Sequence, residues 1–385
     1  MRPYRTVLEQ KIRERRQTFE EFVADVEIFA REHNEPGTLG LRHLQRLVAG
    51  RRPDGRPLAG VHVVTARLLE GILGVPIDEL LAPPSTPTTP DNDEAELHQR
   101  LYAASQVDDA TVTMLQDQLA HIRLIDRRLG ATVAHEEALT KASQVATLLS
   151  HATSTRIRQR LASLLSELYC LAGWQALDLG LTTQSWHYYD LANSAAFESE
   201  NYSFKALAET GRAFVLVDIG ETATAVDLVA RTQRAAYRTC SHLTRSWLAA
   251  SHGEVLAADG NGTESLRAFD RASALLTTST PDTADPYMAL DSVHLARWRG
   301  HALARCGADD AVGVLADSLS RLDPTFTRAE TALRVDLARA FTILNEAPEA
   351  ATQVSKAADL ATKIGSIRQQ RRINGIIHST QNPGS

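Results

Sequence analysis

The chain has 385 residues, 23% of them charged and 43% hydrophobic, and a formal net charge of −6. That length exceeds one ordinary core and predicts about two to three domains, with the composition of a soluble protein that folds. No uncharged apolar run reaches the roughly 18 residues of a membrane span, since the richest stretch, Leu161–Leu181, is broken by Glu167 and Asp178. The N-terminus, MRPYRTVLEQKIRERRQ, lacks the apolar core of a secretory signal. Aromatics make up only 5% while alanine and leucine recur throughout, which favours helix over strand. Cys170, Cys240 and Cys306 lie far apart. They predict buried thiols in a reducing cytoplasm, not a disulfide framework or a zinc site.

Residues 6–81 carry four or five short helical patterns. TVLEQKIRERR starts the first, and FEEFVADVEIFAREH places Phe22, Val26 and Phe29 on one face. NEPGT is a break and turn, LRHLQRLV a short helix, RRPDGRP a basic loop and VHVVTARLLEGILG a longer helix. In VPIDELL, Pro76 and Ile77 start a last turn that packs Leu80 and Leu81 back. Within LRHLQRLV, Leu41, Leu44 and Val48 share the inward face, leaving Arg42, His43, Gln45 and Arg46 to point outward. From Leu39 to Arg67, six arginines stand against one acid, Asp54. An acidic chain thus holds one strongly basic segment.

LRHLQRLVAGRRPDGRP followed by ARLLEGILGVPIDELL resembles the second half of a lambda-repressor-like (Xre-type) helix-turn-helix domain. Gly50 takes the glycine that ends the recognition helix and Pro57 the loop proline. Leu73-Gly74-Val75 with Glu79-Leu80-Leu81 takes the closing signature. Val48 departs from the acid often found two residues before that glycine, and the loop is longer than usual. The resemblance covers about residues 15–82. It implies that Arg42, His43, Gln45 and Arg46 face the major groove of double-stranded DNA, where arginine suits guanine O6/N7 and glutamine adenine N6/N7. Arg51, Arg52 and Arg56 would grip phosphates, setting register and supplying sequence-independent affinity.

PPSTPTTPDNDE, Pro83–Glu94, has four prolines and no large apolar residue, so it reads as a semi-extended linker. Beyond it, VTMLQDQLAHIRLIDRRLG and EEALTKASQVATLLSHA read as two helices. A repeat follows, marked by Gly180, Gly220, Gly260, Gly307 and Asn345, each at a helix C-cap. Seven residues before each mark stand Gly173, Ala213, Gly253, Gly300 and Ala338, all small. The second helix of each unit offers a small–large–small face: Ser185, Tyr189 and Ala192 in the first, Ser265, Phe269 and Ala272 in the third. The arrangement resembles tetratricopeptide repeats. Its spacings of 40, 40, 47 and 38 are longer than the standard unit of about 34. SIRQQRRINGIIHS would cap the far end.

No phosphate-binding glycine loop, His-x-x-x-His pair, nucleophile elbow or acid cluster at metal spacing stands in the sequence. Neither an enzyme nor a cofactor is expected. The sequence predicts an all-α protein: a helix-turn-helix domain (1–82), a linker (83–94) and a tetratricopeptide-like α-solenoid (95–385). The expected function is a cytoplasmic, homodimeric transcriptional regulator. The layout resembles regulators whose repeat domain binds short signalling peptides, which implies a peptide, small-molecule or protein ligand. That ligand would lie in a groove lined by Thr210, Phe214, Val217, Asp218 and Glu254. The alternative is an interaction scaffold whose helix-turn-helix no longer binds DNA.

Overall fold

The computed structural model describes residues 5–15, 17–32, 38–50, 61–82, 90–278 and 285–381. The chain is all-helical, with no strand among the described residues, and divides into two compact units, Met1–His98 and Gln99–Ser385. No helix among the described residues is long and apolar enough to cross a membrane.

The first unit contains α1 (Val7–Glu14), α2 (Phe19–Glu32), α3 (Leu41–Ala49), α4 (Val63–Leu73) and α5 (Ile77–Leu81). Leu8, Ile12, Phe22, Val26, Leu44, Leu68 and Leu80 are fully buried in its core. Thr6 ties two ends together: its hydroxyl accepts from the Glu9 amide (3.3 Å) and donates to the Val48 carbonyl (3.2 Å). Gly50 and Gly74 cap α3 and α4 at φ 66° and 68°, in the left-handed region that glycine enters without penalty. Of the three inward residues expected on α3, Leu44 and Val48 are buried and Leu41 is half-buried, while Leu47 joins the core. Adjacent Leu47 and Val48 share the buried arc because α3 is enclosed by α1 and α2.

The linker ends earlier than the sequence reading placed it. Residues 83–89 lie outside the described ones, but α6 (Pro90–Ser105) already begins at Pro90. A proline is accepted at a first helical position, where its fixed φ suits the helix and its missing N–H costs nothing. The division between units falls at His98 and Gln99, within α6.

In the second unit, α7 (Asp109–Leu129) and α8 (Ala131–His151) precede five helix pairs. These are α9 (Thr155–Asp178) with α10 (Thr182–Ser199), α11 (Tyr202–Asp218) with α12 (Thr222–Ala236), α13 (His242–Ala258) with α14 (Gly262–Thr277), α15 (Ser292–Cys306) with α16 (Ala311–Arg321), and α17 (Thr327–Ile343) with α18 (Ala347–Ile364). A final α19 (Ile367–Gln381) follows. All five marks have positive φ, from 60° at Asn345 to 90° at Gly220. At each, the next amide bonds to the carbonyl five residues back: Leu181 to Ala176, Glu221 to Leu216, Asn261 to Leu256, Ala308 to Leu303 and Glu346 to Phe341, at 2.8–3.0 Å. This is the Schellman closure, and it turns one helix directly into its partner.

The small residues seven before the marks sit where paired helices cross. A Cβ on Gly253 would fall 2.6 Å from the Phe269 ring, and one on Gly300 2.7 Å from Leu315. In the first and third units the serine hydroxyl of the second helix donates to that glycine's carbonyl, Ser185 to Gly173 and Ser265 to Gly253, both at 2.7 Å. We therefore expect Gly253→Leu to overpack the crossing and cost about 1–3 kcal/mol. Thermal denaturation checks this, and an unchanged melting temperature contradicts the crossing.

The pairs do not form an open stack. α7 packs on α17 and α18, and α19 on α9 as well as on α17 and α18. The last repeat thus returns to the first. Arg328 at the start of α17 forks onto Asp126 of α7 with two bonds of 2.7 Å, and its Nε lies 3.2 Å from Asp178 of α9. The Ser366 hydroxyl donates to Asp178 at 2.6 Å. The single residue between α7 and α8, Gly130, abuts the Ile364 carbonyl at the end of α18.

Candidate functional site

The inner helices α9, α11, α13, α15 and α17, closed by α7 and α19, surround a chamber of about 960 Å³. That lies at the upper end of the roughly 300–1,000 Å³ of small-molecule sites. Each inner helix uses one face to pair with its second helix and turns the other inward. On α15 the inward stripe is His294, Arg297, Trp298, His301 and Arg305, spaced by three and four residues as one helical face requires.

The chamber is cationic within an acidic chain: nine arginines line it against five carboxylates. Several are paired along the wall. Arg368 of α19 grips Asp218 of α11 at 2.7 and 2.8 Å, and Arg123 meets Glu167 at 3.1 Å. Arg372 pairs with Asp336, while His301 bridges Asp336 (2.8 Å) and Glu254 (3.4 Å). Burial alone would raise the Asp336 carboxyl, but His301 and Arg372 outweigh it and hold the group well below the usual carboxylate range. Glu254 goes the other way: burial raises it, and the opposing pull of His301 does not compensate.

An apolar wall adjoins these charges. Phe214 and Trp247 stand 6.4 and 6.5 Å from Trp298, ring centre to ring centre. Across the chamber Arg127 lies over Phe326 at 4.7 Å, and the Tyr287 ring receives Arg123 at 4.7 Å. Cys170 also lines the wall, but burial pushes its thiol far up, so it stands there protonated. The arrangement is suited to holding a ligand by ion pairing and apolar contact.

Four of the five residues expected to line a groove, Phe214, Val217, Asp218 and Glu254, do line this chamber. Thr210 does not. It shares the helical face of Phe214 and Val217 but is fully buried, with its hydroxyl unpartnered. The sequence reading missed Arg297, His301, Arg305, Arg328, Asp336, Arg368 and Arg372. For Arg297, His301 and Arg305 a signal is present in SVHLARWRGHALARC, where charged and aromatic residues recur on one face of a helix already committed to pairing by Gly300 and Leu303; Arg328, Asp336, Arg368 and Arg372 lie outside it.

In the first unit, Arg42, Gln45 and Arg46 are exposed on α3, opposite buried Leu44 and Val48. His43 is half-buried, and desolvation, with Arg46 adding to it, holds its imidazole below the usual range. Arg51, Arg52 and Arg56 lie outside the described residues.

The fold and site define an all-α protein whose second unit is a tetratricopeptide-like helical repeat closed around a ligand-sized chamber. No protein-family model matches the chain, and no curated protein is detectably similar in sequence. Among solved structures it is similar to a Rap protein complexed with competence and sporulation factor, at 13% identity and a TM-score of 0.41, over 72% of this chain and 94% of that one. The chemistry of the chamber is therefore read from its own residues.

Proposed function

We propose that the chain is a homodimeric, cytoplasmic, DNA-binding transcriptional regulator, with residues 1–82 as a helix-turn-helix head and the repeat unit as its ligand sensor. The observation that carries the DNA reading is the polarity of α3. One side is sealed into the five-helix core and the other presents Arg42, Gln45 and Arg46 to solvent, the side-chain types that read guanine and adenine edges. The sensing reading is supported by the chamber, whose paired and unpaired arginines face a space instead of a packed core. Two heads on a two-fold operator require a dimer. The exposed Leu97, Leu101 and Tyr102 of α6 offer apolar surface for it.

The test is fluorescence anisotropy of the intact chain on a DNA site enriched from random sequence. Arg42→Ala or Arg46→Ala is expected to cost about 1–3 kcal/mol on that site and little on random DNA. Arg51→Ala or Arg52→Ala is expected to weaken every sequence alike and to flatten the salt dependence. Equal losses on both DNAs for Arg42→Ala would contradict base reading. No DNA affinity at all would favour a protein-interaction scaffold.

A further inference from the structure

We propose that the chamber takes an organic ligand bearing an oxyanion, a carboxylate or phosphate, held by Arg297 and Arg305, with an aromatic or aliphatic body against Phe214, Trp247 and Trp298. The proposal rests on the chamber being the ligand site and names what fills it.

The argument begins with charge. Around Glu254 and Asp336 the chamber gathers Arg297, Arg305, Arg339 and Arg372, two more cations than carboxylates. Asp336 is already engaged by Arg372 and His301, and Glu254 by His301. Arg297 is left with a buried Nε that has no hydrogen-bond partner. Arg297 and Arg305 are both half-buried, and that burial lowers their guanidinium pKa from its ordinary value, so their carboxylate neighbours do not fully offset the water they have lost. A lysine or histidine could relieve that cost by losing its proton. Arginine does not. An incoming oxyanion would compensate these cations, and the guanidinium fork matches carboxylate and phosphate alike.

Geometry supplies the rest of the ligand. Arg297 and Arg305 stand two turns apart on the same face of α15, with His301 between them. The Arg297 guanidinium lies 5.9 Å from the centre of the Trp298 ring, so the anion site adjoins the aromatic wall. A free anion would leave that wall unfilled, and a neutral apolar molecule would leave the arginines uncompensated.

The experiment uses a matched trio on the intact chain, read by isothermal titration calorimetry: 2-naphthylacetate, 2-naphthyl phosphate and neutral 2-naphthylacetamide. At least one anion is expected to bind about tenfold or more tighter than the amide, as a charge-assisted hydrogen bond warrants, and the better of the two identifies the oxyanion. Arg297→Met combined with Arg305→Met is expected to erase that preference. The melting temperature of Arg297→Met alone is expected to hold or rise, since a poorly compensated buried cation has been removed. A lowered melting temperature would show that Arg297 serves the fold and overturn its assignment. Equal binding of all three, lost in Trp298→Ala, would overturn the anion but keep the chamber as a ligand site. Binding of none would overturn both.

Discussion

Replacing Arg328 with methionine is expected to cost about 3–5 kcal/mol of the repeat unit's stability, the loss typical of breaking a buried ion pair from one side. That is a large share of the roughly 5–15 kcal/mol that holds a domain folded. Arg328 is the one cation set between Asp126 and Asp178 on the described wall, and the two carboxylates are 5% and 2% exposed. Burial works against its charge, but the two aspartates more than compensate and raise its pKa. Methionine roughly keeps the side chain's length and leaves both carboxylates in a dry site without the cation that bonds to each of them. Urea denaturation followed by far-ultraviolet circular dichroism measures the loss. Arg328→Lys is expected to recover only part of it, because an ammonium cannot fork onto Asp126 while reaching Asp178. Adding Asp126→Asn and Asp178→Asn to Arg328→Met is expected to recover most of it. A loss below about 1 kcal/mol, the scale of an exposed pair, would mean that the first and last repeats are held together by something else.

The repeat was legible because its signals are local. A Schellman closure needs one residue at positive φ and two hydrogen bonds within six residues, so Gly180, Gly220, Gly260, Gly307 and Asn345 announce themselves in the sequence. The crossing residues sit at fixed offsets from those marks. The chamber was half legible. Phe214, Val217, Asp218 and Glu254 follow from knowing which helix of each pair turns inward. The arginines of α15, α17 and α19 do not, because a charged stripe on a helix reads as a solvated face until its neighbours are known. Those neighbours come from far along the chain: Ser366 meets Asp178 across 188 residues, and Thr132 meets Ile364 across 232. No period in the sequence encodes that closure. The helix-turn-helix resemblance rests on LRHLQRLVAGRRPDGRP and ARLLEGILGVPIDELL, and of its residues Gly50 and Gly74 cap α3 and α4.

Gly130→Ala is expected to be the most damaging single methyl in the repeat unit. Its backbone, at φ 86° and ψ 177°, occupies a region open essentially to glycine alone, and an alanine held there costs about 1–3 kcal/mol in strain. The new Cβ would also fall 2.2 Å from the Ile364 carbonyl oxygen and 2.7 Å from its Cβ. A backbone carbonyl at a helix end cannot rotate aside as a side chain can, so α18 has to move. Overpacking of this kind costs about 1–3 kcal/mol more. The two contributions are separable, since the strain is local to the α7–α8 turn and the clash exists only while the last repeat is seated on the first. Hydrogen exchange in intact Gly130→Ala is therefore expected to show early opening of α18 and α19, with α11 to α14 still protected. Combined with Arg328→Met, the loss should fall short of the sum of the single losses by about 0.5–3 kcal/mol, because a closure that one change has opened has less left for the other to break. Full additivity of the two, together with uniform exchange along the repeats, would place Gly130 in local turn geometry alone and leave it no part in holding the ring shut.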